Sequence, residues 1–247
     1  MGGLSGSNAC YYFYMVPLEY AYLVGDIALL IIWLVLFTRR PDIRQEMLVM
    51  SLLIGAFSVL TAYYWWTYDW WHPLTITGTR VGVEDFLMGF AAGGIMSAVY
   101  EIVFKKKYYK RKSHHHCPGG LTILFMLAFL TSWLVWGVGL TSFWASTIAM
   151  LATAALFFYF RRDLFTNALL SGALMAAISF LFYFAIMLVS PGWIETSYSW
   201  EHLSGVLLIG IPAEEIIFWF LAGVVFGPFY EYWQGEYLRS QGRKSGR

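Results

Sequence analysis

The sequence predicts an all-α integral membrane protein of seven transmembrane helices. They are arranged as two parallel three-helix repeats joined by a linking helix, with the N-terminus outside and the C-terminus cytoplasmic. Three observations predict it: an apolar composition broken into span-length runs, basic residues confined to alternate loops, and a motif that recurs at fixed spacing. Of 247 residues, 59% are apolar, 20% aromatic and only 13% charged, against roughly 25% charged in a soluble domain. Lipid is therefore the expected solvent, and a multi-pass protein of the cell membrane the expected setting.

A helix needs ~20 mostly apolar residues to cross a hydrocarbon core of ~30 Å. Such runs fall at 17–38, 46–66, 83–104, 120–140, 142–160, 164–189 and 204–228. Cytoplasmic loops collect Lys and Arg, which fixes the orientation. Arg39, Arg40 and Arg44 follow the first span, six bases from Lys105 to Lys112 follow the third, and Arg161 and Arg162 follow the fifth. Arg239, Arg243, Lys244 and Arg247 follow the seventh, so 15 of the 16 basic residues share one face and only Arg80 lies on the other. Residues 1–16 carry no basic n-region and run straight into the first span, so no cleavable signal peptide is expected.

Charge spread over one membrane face gives no reason to expect a nucleic-acid partner. The Lys105–Lys112 run suits anionic lipid headgroups at the cytoplasmic face and is equally consistent with a solvated loop. Cys10 and Cys117 fall on opposite faces in this topology and cannot pair within one chain. His114, His115 and His116 beside Cys117 lack ligands at spaced positions and read as a polar loop, so no metal site is expected.

Repeats decide architecture, and one is present. Tyr68, Trp70 and His72 reappear as Tyr198, Trp200 and His202, Glu84-Asp85 as Glu214-Glu215, and Tyr100-Glu101 as Tyr230-Glu231, each 130 residues on. Four crossings separate the copies, so both run from outside to inside. The chain then divides, within one membrane domain spanning 1–247, into a first half at 17–104, a linking helix at 120–140 and a second half at 142–231. A pseudo-two-fold axis along the membrane normal would bring equivalent residues to one central cavity.

Carboxylates within a span are costly, at ~2.5–3.5 kcal/mol each on insertion scales, and mark a functional site facing the bundle interior. Glu84, Asp85, Glu214 and Glu215 are the catalytic candidates. With the last span starting at 204, the second pair is expected nine and ten residues inside it, ~14 Å deep at ~1.5 Å per residue. Low dielectric and a neighbouring carboxyl both favour the protonated form of a buried acid, which then serves as a general acid while a partner accepts a proton. The competing reading is helix glue, with the acids paired to Arg80, His72, His202 or backbone groups. Glu101 and Glu231 are expected at helix ends where headgroups and water reach them.

Most aromatics at the outer end of the second span fit an interfacial belt. Trp70 and Trp200, held in register by the repeat, are the ones expected to line a cavity and face a cation. His72 and His202 read either as partners of the acids or as an interfacial pair. No Lys lies in any span, which leaves no Schiff-base site, and no dinucleotide fingerprint, P-loop or H-E-x-x-H occurs. No cofactor is expected.

At the acidic pairs the sequence resembles the small membrane lycopene cyclases, whose two homologous halves are separate subunits or fused. Pro212-Ala213-Glu214-Glu215-Ile216-Ile217-Phe218 is similar to the family's P-[LI]-E-[ED]-x-x-F signature. Glu84-Asp85-Phe86-Leu87 is the matching block of the first half, with Gly82 where the signature has proline. Gly78-Thr79-Arg80-Val81-Gly82 resembles the G-x-R-x-G lead-in, and both halves end in Tyr-Glu. The resemblance implies a cofactor-free, redox-neutral isomerisation. An acid protonates a terminal polyene double bond, the cation closes a six-membered ring, and a base removes a proton. It implies acid and base among Glu84, Asp85, Glu214 and Glu215, substrate contacts from Trp70, His72, Arg80, Trp200, His202, Tyr100 and Tyr230, and a hydrophobic polyene drawn from the bilayer.

Competing readings are a small-solute or proton-coupled transporter built on parallel repeats and an inactive carotenoid-binding membrane protein. An intramembrane protease of the E-E-x-x-x-R type is disfavoured because Trp219 stands at the Arg position. The oligomeric state, a homo-oligomer included, is left open.

Overall fold

Among the described residues, seven helices are long and apolar enough to cross a membrane: α1 Leu18–Arg39, α2 Pro41–Asp69, α3 Val83–Val103, α4 Gly120–Val138, α5 Ser142–Phe160, α6 Arg162–Val189 and α7 Ala213–Gln234. The chain is a multi-pass membrane protein. The computed structural model describes residues 16–110 and 119–240. The expectations for Cys10, Cys117, His114, His115, His116 and the terminal bases Arg243, Lys244 and Arg247 fall outside the described residues.

Helix ends follow local chemistry. The helical stretch after Arg40 opens with Pro41 at its first position, where a missing N–H costs nothing. Toward its end α2 widens into a π turn at Ala62–Trp66, in which the Thr67 hydroxyl caps the Ala62 carbonyl at 2.6 Å. Helix α4 closes with a similar turn at Trp133–Val138, stopped by Gly139 in the left-handed region at φ 82°.

The largest departure from expectation lies before α7. Residues 203–212 are not helical: β2 Leu207–Leu208 pairs antiparallel with β3 Ile211–Pro212 around Ile209 and Gly210. Proline has no N–H to carry a helix through and excludes its predecessor from the helical region. Helix α7 consequently starts at Ala213, and Glu214 and Glu215 occupy its first turn instead of its middle. The irregular stretch before α3 places Glu84 and Asp85 in the same position there. At the other end, β1 Lys106–Lys110 and β4 Glu236–Ser240 form a two-stranded antiparallel ladder, so part of the basic run is strand and not loop.

The first and second halves pack alike. Helix α2 lies along α3, and α6 along α7, with close backbone approach at small residues, as is usual between membrane helices. A Cβ on Gly93 would stand 2.8 Å from the Met50 carbonyl, and one on Gly223 would stand 2.7 Å from the Ser171 carbonyl. Below them, Arg40 forks onto Asp42 at 2.8 and 2.9 Å and donates to the Glu101 carbonyl at 3.2 Å. Arg161 forks onto Asp163 at 2.9 Å through each arm and donates to the Glu231 carbonyl at 3.2 Å. These turns fold over the helix ends, so Glu101 and Glu231 are buried at 1% and 0% exposure instead of meeting water. Gly223→Val is expected to force α6 from α7 and cost about 1–3 kcal/mol of stability, the range for overpacking. Thermal unfolding in detergent measures it, and an unchanged midpoint would contradict the close contact.

Candidate active site

Each acidic pair divides its labour. In α3, Glu84 Oε1 accepts the Ile76 N–H at 2.6 Å, and in α7, Glu214 Oε1 accepts the Ser204 N–H at 2.6 Å. The first acid of each pair thus ties the preceding irregular loop back onto its own helix. Adjacent helical positions point about 100° apart, and the second acid turns inward. Asp85 Oδ2 accepts the N–H of Gly82, the α3 N-cap, at 2.8 Å, and its Oδ1 receives the Tyr22 hydroxyl at 3.3 Å. Glu215 Oε2 receives the Tyr183 hydroxyl at 2.7 Å, which in turn lies 3.5 Å from Trp219 Nε1. Ser58 of α2 bonds the Asp85 carbonyl and fastens the turn to its neighbour.

Asp85 and Glu215 line one cavity of about 90 Å³ between the halves, walled mostly by aromatic, Met and aliphatic side chains, with the hydroxyl-bearing Ser58, Thr61, Thr131 and Ser146 among them. Trp71 sits at its centre of packing, with ring centroids 5.7 Å from Tyr22, 6.3 Å from Tyr183, 5.4 Å from Trp193 and 4.9 Å from Tyr198. Both hydroxyls that touch the acids are therefore oriented by the same indole. Trp71 is held by backbone pairing between its strand and the second loop: the His72 N–H donates to Ser197 at 2.9 Å and the Ser199 N–H to Trp70 at 3.0 Å. Trp70 packs edge-on against Phe218 at 5.0 Å, Phe143 at 5.2 Å and Trp66 at 6.1 Å. Burial pushes the Tyr198 phenol well above its ordinary value, and partial burial lowers His72 from 6.5. Both are neutral at pH 7.

Other residues singled out from the sequence lie elsewhere. Trp200 is 37% exposed, its Nε1 donating to the Glu195 carbonyl at 2.9 Å, and His202 is exposed. His72 touches the Ser199 hydroxyl at 3.4 Å outside the cavity. Arg80 lies over the rings of Tyr68 at 4.2 Å and Tyr63 at 5.0 Å and donates to the Tyr63 carbonyl; it reaches neither acid. Tyr100 and Tyr230 are buried at the far ends of α3 and α7. Among the described residues, no group of three His, Cys, Asp or Glu could hold a metal ion.

Three residues of this site and one buried acid near it escaped the sequence reading. Tyr22, Tyr183 and Trp71 stood among many aromatics with nothing in the pattern to separate them. Asp26 carried a clear signal: it is an acid well inside the first apolar run, one turn after Tyr22. It is fully buried with no hydrogen-bond partner on either oxygen among the described residues.

The sequence model of the lycopene cyclase family matches residues 19–103 and 141–233. The chain belongs to the lycopene cyclase family. The match falls in two segments that take in both acidic pairs and leave out α4 entirely, as suits a two-half cyclase, and it makes the protein a carotenoid cyclase at family level, an enzyme of carotenoid biosynthesis. No curated protein and no solved structure matches the chain. Replacing Glu214 separates the two jobs within the pair. Glu214→Gln keeps an acceptor for the Ser204 N–H, whereas Glu214→Leu removes it and is expected to cost about 1–3 kcal/mol, the desolvation penalty of an orphaned group. Equal unfolding midpoints for the two variants would refute the tether.

Proposed function

We propose that this protein closes the end ring of a lycopene-type carotenoid by cofactor-free acid–base isomerisation, with Asp85 and Glu215 as the proton-transferring pair. The observation that carries the reading is their convergence, one from each half, on a single aromatic cavity. Protonation of a terminal double bond needs an acid in dry surroundings, and the resulting cation needs protection from water. Trp70, Trp66 and Phe218 supply ring faces and edges at that point, and a Trp face attracts a cation more strongly than Tyr or Phe.

At about 90 Å³ the cavity is smaller than the ~300–1,000 Å³ of pockets that enclose a whole ligand. It takes the end of a polyene, whose length stays in the lipid from which it came. Glu84 and Glu214 serve the reaction by holding the loops that roof the cavity, and Arg80, Trp200 and His202 belong to the outer rim. Tyr100 and Tyr230 support the inner helix ends.

The reading includes a duplication. The paired contacts of Gly93 and Gly223, of Arg40 and Arg161, and of Glu84 and Glu214 support two equivalent halves with α4 as the linking helix. The distribution of Lys and Arg supports an outside N-terminus and a cytoplasmic C-terminus. In that orientation the basic run that follows α3 falls on the cytoplasmic side, where its charge suits anionic headgroups.

In cells that accumulate lycopene, expression is expected to convert the pigment to cyclised product. Asp85→Asn and Glu215→Gln are each expected to lower conversion at least about 10²-fold, the lower range for removing a general acid or base. Glu84→Gln and Glu214→Gln retain most of it. Unchanged pigment with folded wild-type protein, or full conversion by Asp85→Asn, would remove the proposal.

A further inference from the structure

The two acids of the cavity are placed alike but held differently. Asp85 and Glu215 are each the third residue of their helix, counted from N-caps Gly82 and Pro212, so the helix dipole acts on both equally. At this position an acidic side chain reaches back to the N–H of the N-cap residue. Asp85 does so, at 2.8 Å from the Gly82 nitrogen. Glu215 cannot, because Pro212 has no N–H to give.

The remaining donors do not restore the balance. Tyr22 stands at Asp85, while Tyr183 stands at Glu215 with Tyr198 and Trp219 close by. A hydroxyl both donates and accepts, so it turns to suit a carboxylate or a carboxylic acid, and the donor-only Trp219 N–H is directed at the Tyr183 oxygen, 3.5 Å away. A backbone N–H fixed in a helix cap only donates, and favours the ionised form alone. One residue difference between the halves therefore tells the acids apart.

Resting on the cyclase reading above, we propose that Glu215 is the proton donor and Asp85 the proton acceptor, with the Gly82 N–H as the group that positions and ionises Asp85. Glu215 passes its proton to the terminal alkene carbon, forming a C–H bond and leaving a carboxylate. The neighbouring double bond attacks the cation and closes the ring. Asp85 takes a proton from a carbon next to the new cationic centre, and that C–H pair becomes the new double bond. Transfer of this proton from Asp85 to Glu215 restores the resting pair, so atoms and charge balance with no redox partner.

Infrared spectroscopy of the purified full-length protein at neutral pH reads the two carboxyls directly, through the C=O stretch that only a protonated acid shows. Wild type minus Glu215→Gln is expected to contain that band, and wild type minus Asp85→Asn to lack it. Pro212→Gly gives α7 the N–H that α3 has, and is expected to weaken the Glu215 band and lower ring formation about tenfold, the equivalent of ~1.4 kcal/mol. A band lost in Asp85→Asn, or kept in Glu215→Gln, overturns the assignment, as does a Pro212→Gly spectrum identical to wild type. Failure of the cyclase reading shows separately, as wild-type protein inactive on lycopene with the infrared pattern intact.

Discussion

The structure depends on keeping two carboxyls in an apolar interior without a cation beside them. A charged group in such a place is expensive unless donors surround it; the Gly82 N–H and the Tyr22 hydroxyl serve Asp85, and the Tyr183 hydroxyl serves Glu215. An acid in the middle of a long helix finds every backbone N–H already engaged, whereas one in the first turn has free N–H groups within reach. The loops before both helices dip inward with them, which creates a second problem of exposed backbone within an apolar core. Glu84 and Glu214 answer it by accepting the Ile76 and Ser204 N–H groups. Each acidic doublet is thus one unit: the outer member satisfies the loop that makes the inner member's position tenable.

The number and extent of the helices were legible because length and hydropathy alone set them, and six of the seven spans start within a few residues of expectation. The exception is instructive. The run from Ser204 to Pro212 is as apolar as a helix and was counted as one, since hydropathy does not see that Gly205, Gly210 and Pro212 break the backbone. The four acids stand out in the sequence as charges within apolar runs, but the depth of the second pair follows from the α7 start at Ala213 and not from the apolar run. Glu101 and Glu231 show the complementary limit. Their positions at helix ends suggested water, and only the three-dimensional path of the turns carrying Arg40 and Arg161 covers them. For Tyr22 and Tyr183 no periodicity was available, because aromatic residues in a membrane protein are common and the two are not related by the repeat.

The motif Y-x-W-x-H illustrates how identical sequence patterns diverge. Its two copies pair with each other as short antiparallel strands, His72 with Ser197 and Ser199 with Trp70. On the duplicated reading this pairing lies near the axis that relates the halves, where two large rings cannot occupy one central position. Trp71 takes it, with Tyr198 opposite at 4.9 Å, and Trp70 turns into the cavity. Trp200, equivalent to Trp70 in sequence, is left at the rim. The register of the pairing, and not residue identity, decides which tryptophan reaches the chamber.

The same logic extends to chemistry. A reaction that first gives and then takes a proton needs two unlike groups, and a strictly symmetric pair of carboxyls would offer two alike. Symmetry must be broken close to the acids without disturbing the frame that delivers them. Gly82 against Pro212 does this at the level of one backbone hydrogen: the helix dipole, the loop tether and the tyrosine contact are matched in kind, and the N–H is not. Tyr22 comes from α1 and Tyr183 from α6, so the hydroxyls also approach from unrelated directions. On the proposed reading, duplication supplies the geometry, and the departures from it at Gly82, Tyr22 and Tyr183 supply direction to the proton.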